Sequence, residues 1–251
     1  MSTKIKQNLN KLLLIIFSIS PLVHAEIQEH LYPMGTLEQI PYGFQDEHGQ
    51  VKGSLFEIMN EIIAKSGLQA TNKLLPAKRL FLELKTGAQF CALLADTPLV
   101  SKYFDLLEPI GVKLAAGVLP KKGVKLANYE SLKQITIAVP LGLYFHAFFD
   151  NDKTLTKVSP PKYENAIQML KYGRVDAVAG AIASLLYIAN NEEMSDRNFD
   201  APLILSNLDI YLACFRGTEK TVQEAMQAST VKLKEMGRIQ EIYNQYITYA
   251  K

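Results

Sequence analysis

The sequence contains few of the residues from which metal and catalytic sites are usually built. It has two cysteines and four histidines in 251 residues. Cys91 and Cys214 lie in separate apolar runs with no histidine beside them, a spacing that matches no zinc site. Neither a Gly-x-Ser-x-Gly elbow nor a His-Glu-x-x-His helix occurs. We therefore expect a protein without a metal site, without a cofactor and without enzymatic activity.

Long apolar runs are also scarce, and the main one lies at the start of the chain. Residues 12–20 are apolar but fall short of the about 20 residues that a membrane-spanning helix needs. Three lysines precede this run, and Val-His-Ala follows it, ending at Ala25. This order is typical of a secretory signal peptide, so we expect cleavage between Ala25 and Glu26. An uncleaved N-terminal anchor is the alternative.

The charge of the exported chain is close to zero. Residues 1–25 contain three lysines and no acidic residue, so cleavage changes 27 basic and 25 acidic residues into 24 and 25, a net charge of −1. Such a chain has no strong field for nucleic acid or for an anionic membrane. Export permits a disulfide between Cys91 and Cys214, while two buried free thiols would fit the apolar runs equally well.

The remaining chain alternates short β-prone runs with helical periodicity, which predicts an α/β fold. Residues 54–67 form an amphipathic helix in this interpretation, with Ser54 as its cap and Gly67 as its stop. Residues 135–139 are predicted to form a buried strand, and residues 141–149 are predicted to form the turn and helix that follow it. Residues 221–247 are predicted to form two helices that are separated near Gly237.

One pattern occurs twice. Residues 81–96 and residues 166–181 each contain a helix, then Leu-Lys-x-Gly, then a strand. Each glycine stands where a helix needs a left-handed residue to end. The repetition suggests two similar lobes.

In order along the chain, four segments resemble the periplasmic solute-binding proteins of polar amino-acid transporters, family 3. Residues 40–68, "IPYGFQDEHGQVKGSLFEIMNEIIAKSGL", resemble the opening of the family. Residues 97–110, "TPLVSKYFDLLEPI", resemble its Thr-Pro-Glu-Arg segment. Residues 170–189 resemble its Leu-x-x-Gly-Arg-x-Asp-Ala-Val block, and residues 231–247 resemble its closing helix.

The resemblance implies a type II periplasmic binding fold, in which two α/β lobes close over a ligand. Lobe 1 would comprise residues 26–110 and 210–251, and lobe 2 residues 114–206. Two strands would cross between the lobes near residues 110–114 and 206–210. The protein would be a monomer in the periplasm that binds its solute by hinge closure.

The residues that bind an α-amino acid in the family are replaced here. By the motifs, the arginine that binds the carboxylate falls on Val100, the threonine after Gly142 on Leu143, and the aspartate that binds the ammonium on Ala181. Because the segment before Thr97 is slightly short for the family, Lys102 is an alternative carboxylate partner. Lysine lacks the planar fork of arginine, which makes it the weaker candidate.

Other residues are predicted at the ligand with an alternative role beside each. Tyr42 and Phe44 would form an aromatic shelf or pack in the core, and Arg79 would face the cleft or lie on a solvated helix. Asp176 is expected to fix a turn, and His146 to have a structural role. The complete predicted ligand-binding set is Tyr42, Phe44, Arg79, Asp96, Thr97, Val100, Gly142, Leu143, Tyr144, Ala181 and Ser184, with Tyr187 as an unranked neighbour.

The leading functional hypothesis is a periplasmic binding protein for a small solute that is not held as an ordinary α-amino acid. Its partner would be an ABC permease. The alternative is a sensing module that reports to a separate membrane sensor. A dehydratase-like enzyme on the same fold is the third hypothesis, and the missing arginine weighs against it.

Overall fold

The computed structural model describes residues 31–141 and 146–247. The predicted signal peptide lies outside the described residues, as do residues 142–145. The strands are β1 (Tyr32–Leu37), β2 (Phe44–Gln45), β3 (Val51–Lys52), β4 (Ala70–Leu75), β5 (Cys91–Ala95), β6 (Phe104–Pro120), β7 (Thr136–Ala138), β8 (Thr156–Val158), β9 (Ala177–Ala181) and β10 (Leu203–Phe215). The helices are α1 (Ser54–Ser66), α2 (Ala77–Thr86), α3 (Pro98–Tyr103), α4 (Ala147–Asn151), α5 (Tyr163–Lys171), α6 (Ile182–Asn191), α7 (Lys220–Glu235) and α8 (Arg238–Tyr246). Two short 3₁₀ helices cover Tyr129–Gln134 and Asp196–Asn198.

Eight strands form one mixed sheet in the order β4-β1-β5-β10-β6-β9-β7-β8, and β2 pairs with β3 in a separate ribbon. The strands at each side of the sheet run parallel to one another, whereas β10 and β6 are antiparallel to their neighbours. The predicted α/β class is confirmed.

The two central strands connect two halves of the molecule. One end of β10 pairs with β5, and the opposite end of β6 pairs with β9. We call β4, β1, β5 and the helices packed on them the first half, and β9, β7, β8 and their helices the second half. Between the halves the β6–β10 ladder is irregular, because its register shifts between Asp209 and Tyr211, and Gly111 has a φ of 86°. The predicted lobe boundaries near this irregularity stay a prediction.

Each half has apolar clusters on both faces of its part of the sheet. In the first half, α1, α7 and α8 cover one face and α2 and α3 cover the other. In the second half, α5 and α6 cover one face, and α4 and the first 3₁₀ helix cover the other. Since both faces of the strands are buried, their sequences are almost continuously apolar, as in "CALLA" and "AVAGA".

The repeated helix–turn–strand pattern is confirmed. α2 ends at Gly87, with a φ of 75°, before β5, and α5 is followed by Gly173, with a φ of 66°, before β9. Gly67 and Gly237 likewise adopt left-handed conformations, at the end of α1 and between α7 and α8. These stops were predictable because a left-handed residue costs glycine no steric strain.

The predicted cap of α1 is wrong. The residue at the N-cap position is Gly53, and Ser54 is already helical. The backbone N–H of Ser54 donates to the carbonyl of Pro41 at 3.0 Å, while its buried hydroxyl has no hydrogen-bond partner among the described residues. The preceding loop thus supplies the bonds that a capping side chain would otherwise make.

The two cysteines form a disulfide. Cys91 of β5 and Cys214 of β10 face one another on adjacent antiparallel strands, with Cα atoms 4.0 Å apart, and both are completely buried. Of the two alternatives left open by the sequence, the cross-link is therefore the one observed. It closes a loop that contains the entire second half.

Candidate functional site

The carboxyl ends of β1 and β9 lead into segments that touch one another across the two halves. Gln39, which follows β1, donates from Nε2 to Oγ of Ser184 on α6 at 3.2 Å. Next to this bond, the rings of Phe44 and Tyr187 lie 5.7 Å apart between centroids. We call these four residues the contact zone. Ligands of open α/β sheets bind beyond the carboxyl ends of strands, which makes this zone the candidate site.

A tight turn positions Gln39. Its backbone N–H donates to the carbonyl of Gly43 at 2.8 Å, and its carbonyl accepts from the N–H of Tyr42 at 2.8 Å. A Cβ atom at Gly43 would stand 2.7 Å from the carbonyl oxygen of Leu37, so the turn requires glycine there. The local sequence "QIPYG" therefore fixes where the Gln39 side chain leaves the backbone.

Tyr42 lies in the core between the halves, with 2% of its surface exposed. It packs in the same cluster as Ala181 and Ala183. Its hydroxyl is hydrogen-bonded to Tyr243, which in turn donates to the carbonyl of Lys113 at 2.7 Å. Burial raises the pKa of Tyr42 well above its ordinary value and that of Tyr243 to about 12. Both phenols are therefore neutral structural groups at ordinary pH.

Asp96 and Thr97 follow β5 and organise the start of α3. Asp96 accepts from the hydroxyl of Ser101 at 2.5 Å, and its N–H donates to the carbonyl of Asp209 at 2.8 Å. Thr97 caps α3 by accepting from the N–H of Val100 at 3.3 Å. Both residues stand at the predicted edge of the sheet.

Val100 packs inward on α3. Its side chain is 2% exposed and lies in a cluster with Leu94, Phe104 and Ala213. The position at which the resemblance places a carboxylate-binding arginine is thus part of the core of the first half.

The two other side chains considered as partners of a ligand carboxylate, Arg79 and Lys102, each contact a neighbouring side chain. Arg79 forms an ion pair with Glu83 one turn along α2 at 2.5 Å, and its side chain is 68% exposed. This hydrogen bond is the main reason why the pKa of Glu83 is lowered. Lys102 lies over the ring of Tyr103, 5.3 Å from its centroid. Arg79 therefore has the geometry of the solvated helix arginine that was the alternative to a cleft role.

In the second half, Ala181 is 4% exposed, ends β9 and is the N-cap residue of α6. Its backbone N–H donates to the buried hydroxyl of Tyr163 at 3.1 Å. The position at which the resemblance places an ammonium-binding aspartate thus carries a methyl group in a packed environment. Gly142, Leu143 and Tyr144 lie outside the described residues, and their ligand roles stay predictions.

Two polar residues of the second half, Asp176 and His146, have structural contacts. Asp176 accepts from Nζ of Lys121 at 2.6 Å and from the N–H of Thr136 at 2.9 Å. The bond from Lys121 is the main cause of its lowered pKa. His146 caps α4, its Nδ1 accepting from the N–H of Phe149 at 3.3 Å.

Gln39 is the member of the contact zone that was missing from the predicted site. It lies in "LEQIPYG", without a charge or motif that marks it, and its partner is 145 residues away. The signal that could have identified Gln39 was its position directly after the first strand, at the carboxyl end where ligands of such sheets bind.

Across residues 31–141 and 146–247, no group of histidine, cysteine, aspartate or glutamate is arranged to hold a metal ion. None of the helices in these ranges is both long and apolar enough to cross a membrane.

The model of the bacterial extracellular solute-binding proteins, family 3, matches residues 33–249. The chain belongs to this family. No curated protein sequence matched this family 3 protein.

Solved structures similar to this family 3 protein include binding proteins and a sensor domain. A histidine kinase sensor domain with similarity to periplasmic binding proteins has a TM-score of 0.74 at 17% identity, covering 87% of this chain and 96% of its own. A mutant of ArgBP from T. maritima has a TM-score of 0.71 at 19% identity, with 87% and 95% covered. A solute receptor for L-cysteine of Neisseria gonorrhoeae has a TM-score of 0.69 at 22% identity, with 86% and 89% covered. At these identities the likeness shows the type II periplasmic binding fold.

Proposed function

We propose that this protein is a periplasmic solute-binding protein whose ligand lacks the charged head group of an ordinary α-amino acid. In this proposal, residues 26–110 and 210–251 form one lobe and residues 114–206 form the other. A small solute enters between them, the lobes close, and an ABC permease receives the ligand. The protein acts as a monomer and catalyses no reaction.

The burial of Val100 is the observation that carries this proposal. A carboxylate that enters a closed cleft without a cationic or amide partner loses several kcal/mol of hydration free energy. The position expected to supply the arginine is occupied by a packed valine, 2% exposed. Arg79, the other arginine weighed for the role, is bound to Glu83.

The ammonium group of an amino acid also lacks its expected partner. Ala181 supports the proposal because a methyl group offers no charge and no acceptor, and its surroundings are packed. The contact zone is formed by an amide, a hydroxyl and two aromatic rings. A neutral or weakly polar solute suits such surroundings.

A thermal-shift screen of residues 26–251 tests the proposal. The panel contains the common amino acids and, beside them, neutral, aromatic and decarboxylated solutes. A ligand at 100 times its dissociation constant adds about 2.7 kcal/mol to the free energy of unfolding, which raises the midpoint by several degrees. We expect shifts with solutes that lack the amino-acid head group. A larger shift with an ordinary amino acid would contradict the proposal.

A sensing role is the second candidate, and the similarity to a histidine kinase sensor domain favours it. In that case the ligand-bound protein reports to a membrane sensor instead of delivering solute. Deleting the gene separates the two roles. Loss of labelled ligand uptake supports transport, whereas unchanged uptake with an altered transcriptional response to the ligand supports sensing.

A further inference from the structure

Gln39 and Ser184 face one another from opposite halves of the molecule. Gln39 lies two residues beyond the end of β1, and Ser184 lies in the first turn of α6, directly beyond β9. Their side chains are joined at 3.2 Å. Each therefore stands at the carboxyl end of a strand, where its half would present groups to a ligand.

Uncharged side chains pack beside this pair. Phe44 and Tyr187 lie beside it as a ring pair, and Tyr42 and Ala181 belong to one buried apolar cluster. Lys52, which interacts electrostatically with Tyr187, is paired with Asp46 at 2.6 Å.

Ser184 is completely buried, with 0% of its surface exposed. A buried hydroxyl that loses its partner costs free energy, so opening the halves or inserting a ligand requires a replacement for Gln39. The replacement must serve both members, because the amide of Gln39 and the hydroxyl of Ser184 can each donate and accept hydrogen bonds. A carboxylate only accepts and an ammonium only donates.

We propose that Gln39 and Ser184 determine ligand specificity by exchanging their mutual hydrogen bond for bonds to a neutral carboxamide of the ligand. The carboxamide lies between the two side chains in the closed state, and the apolar body of the ligand packs on Phe44 and Tyr187. This inference rests on the proposed function and names the ligand class of the same site.

Matched sets of ligands test the inference by isothermal titration calorimetry. One set is phenylacetamide, phenylacetate and phenethylamine, and the other is isovaleramide, isovalerate and isopentylamine. Within a set the apolar body is constant and the head group changes. We expect the wild-type protein to bind the better carboxamide at least about tenfold more tightly than its acid or amine, the ratio that one hydrogen bond of ordinary strength gives.

Three variants assign that preference to the pair. Gln39→Leu and Ser184→Ala each reduce affinity for the carboxamide about tenfold. Gln39→Glu keeps the shape but replaces the amide donor with a carboxylate, so it shifts the preference toward the amine. Gln240→Leu is the matched control, because Gln240 is exposed on α8, where its Nε2 donates to Oδ1 of Asn244 at 2.8 Å. Thermal melts establish that each variant is folded before it is titrated.

The outcomes separate this inference from the proposed function. If the acid or the amine binds as tightly as the carboxamide, or if Gln39→Leu and Ser184→Ala bind it like the wild type, the inference is overturned while solute binding stands. If other solutes of the thermal-shift panel bind but none of these six compounds does, the inference is likewise overturned while solute binding stands. If no solute of the panel binds at all, the proposed function fails, and the inference fails with it.

Discussion

Reduction of the Cys91–Cys214 disulfide is expected to cost this protein much of its stability. The bond joins residues 123 positions apart, so it removes a large amount of conformational freedom from the unfolded chain. The chain-entropy relation gives about 4.7 kcal/mol for a loop of 100 residues and rises with the logarithm of loop length, hence about 5 kcal/mol here. For a domain of this size, 1 kcal/mol shifts the midpoint by about 2–4 °C. We therefore expect a decrease of roughly 10–20 °C.

The assay compares oxidised and reduced protein by calorimetry and by urea unfolding. Because both sulfur atoms are buried, the protein is reduced in denaturant and refolded with the reductant present. The reduced wild type keeps both sulfurs in the core and so isolates the effect of the cross-link. A double variant, Cys91→Ala with Cys214→Ala, controls for reductant effects, and its midpoint is expected not to respond to reductant.

Two results would refute this reasoning. Two free thiols in unfolded, unreduced protein would show that the bond does not form. A reduced protein that melts within 3 °C of the oxidised one, against the ~10 °C minimum expected, would show that the unfolded chain gains little freedom on reduction.

Four further expectations concern single groups. Ser54→Ala should stabilise the protein by about 1 kcal/mol, measured by urea unfolding, because it removes a buried hydroxyl without a partner in the described structure. Val100→Arg should destabilise it by about 3 kcal/mol or more, since a charge and extra volume enter a packed core, and calorimetry should detect no gain in amino-acid binding. Tyr243→Phe should cost about 1–3 kcal/mol, since Tyr42 loses its hydrogen-bond partner. Burial raises the pKa of Tyr163 and of Tyr243 from 10.0 to about 12, so the stability that these phenols contribute below pH 10 should be lost as the pH rises toward 12, as followed by urea midpoints.

Each of these has an outcome that contradicts it. Destabilisation by Ser54→Ala would mean that its hydroxyl has a partner after all, such as an ordered water. A stable Val100→Arg variant that binds amino acids would place this residue in the cleft instead of the core. An unchanged urea midpoint for Tyr243→Phe would show that its hydrogen bonds contribute nothing to stability. A flat stability profile between pH 10 and 12 would show that burial does not raise the pKa of these phenols.

Local features of the fold were predictable from the sequence because they depend on neighbouring residues. The stops at Gly87 and Gly173 require only that a helix ends where glycine adopts a left-handed conformation. The order of the strands and the contacts between halves depend on pairs far apart in the chain. The disulfide is one such pair, and the residues around Cys91 and Cys214 fit free thiols equally well until the strands are seen side by side.

The candidate site was less predictable than the fold. The motifs located the turns that follow β1, β5 and β9, but not the directions of the side chains within them. Val100 illustrates the limit, since a shift of one or two residues along a helix decides whether a side chain faces a ligand or the core. Gln39 illustrates another limit, because the role of this loop glutamine depends on its contact with Ser184, 145 residues later in the chain.

The path of the chain through β6 and back through β10 makes the second half an insertion. β1 and α8, near the two ends of the described chain, both pack in the first half. Ala115 and Asn207, on either side of the ladder between the halves, are paired neighbours. The chain thus enters and leaves the second half at adjacent positions, and we expect that this half could be exchanged between family members at two junctions. In such a chimaera Gln39 and Ser184 would come from two different proteins, so under the proposed role of this pair the exchange would change ligand preference.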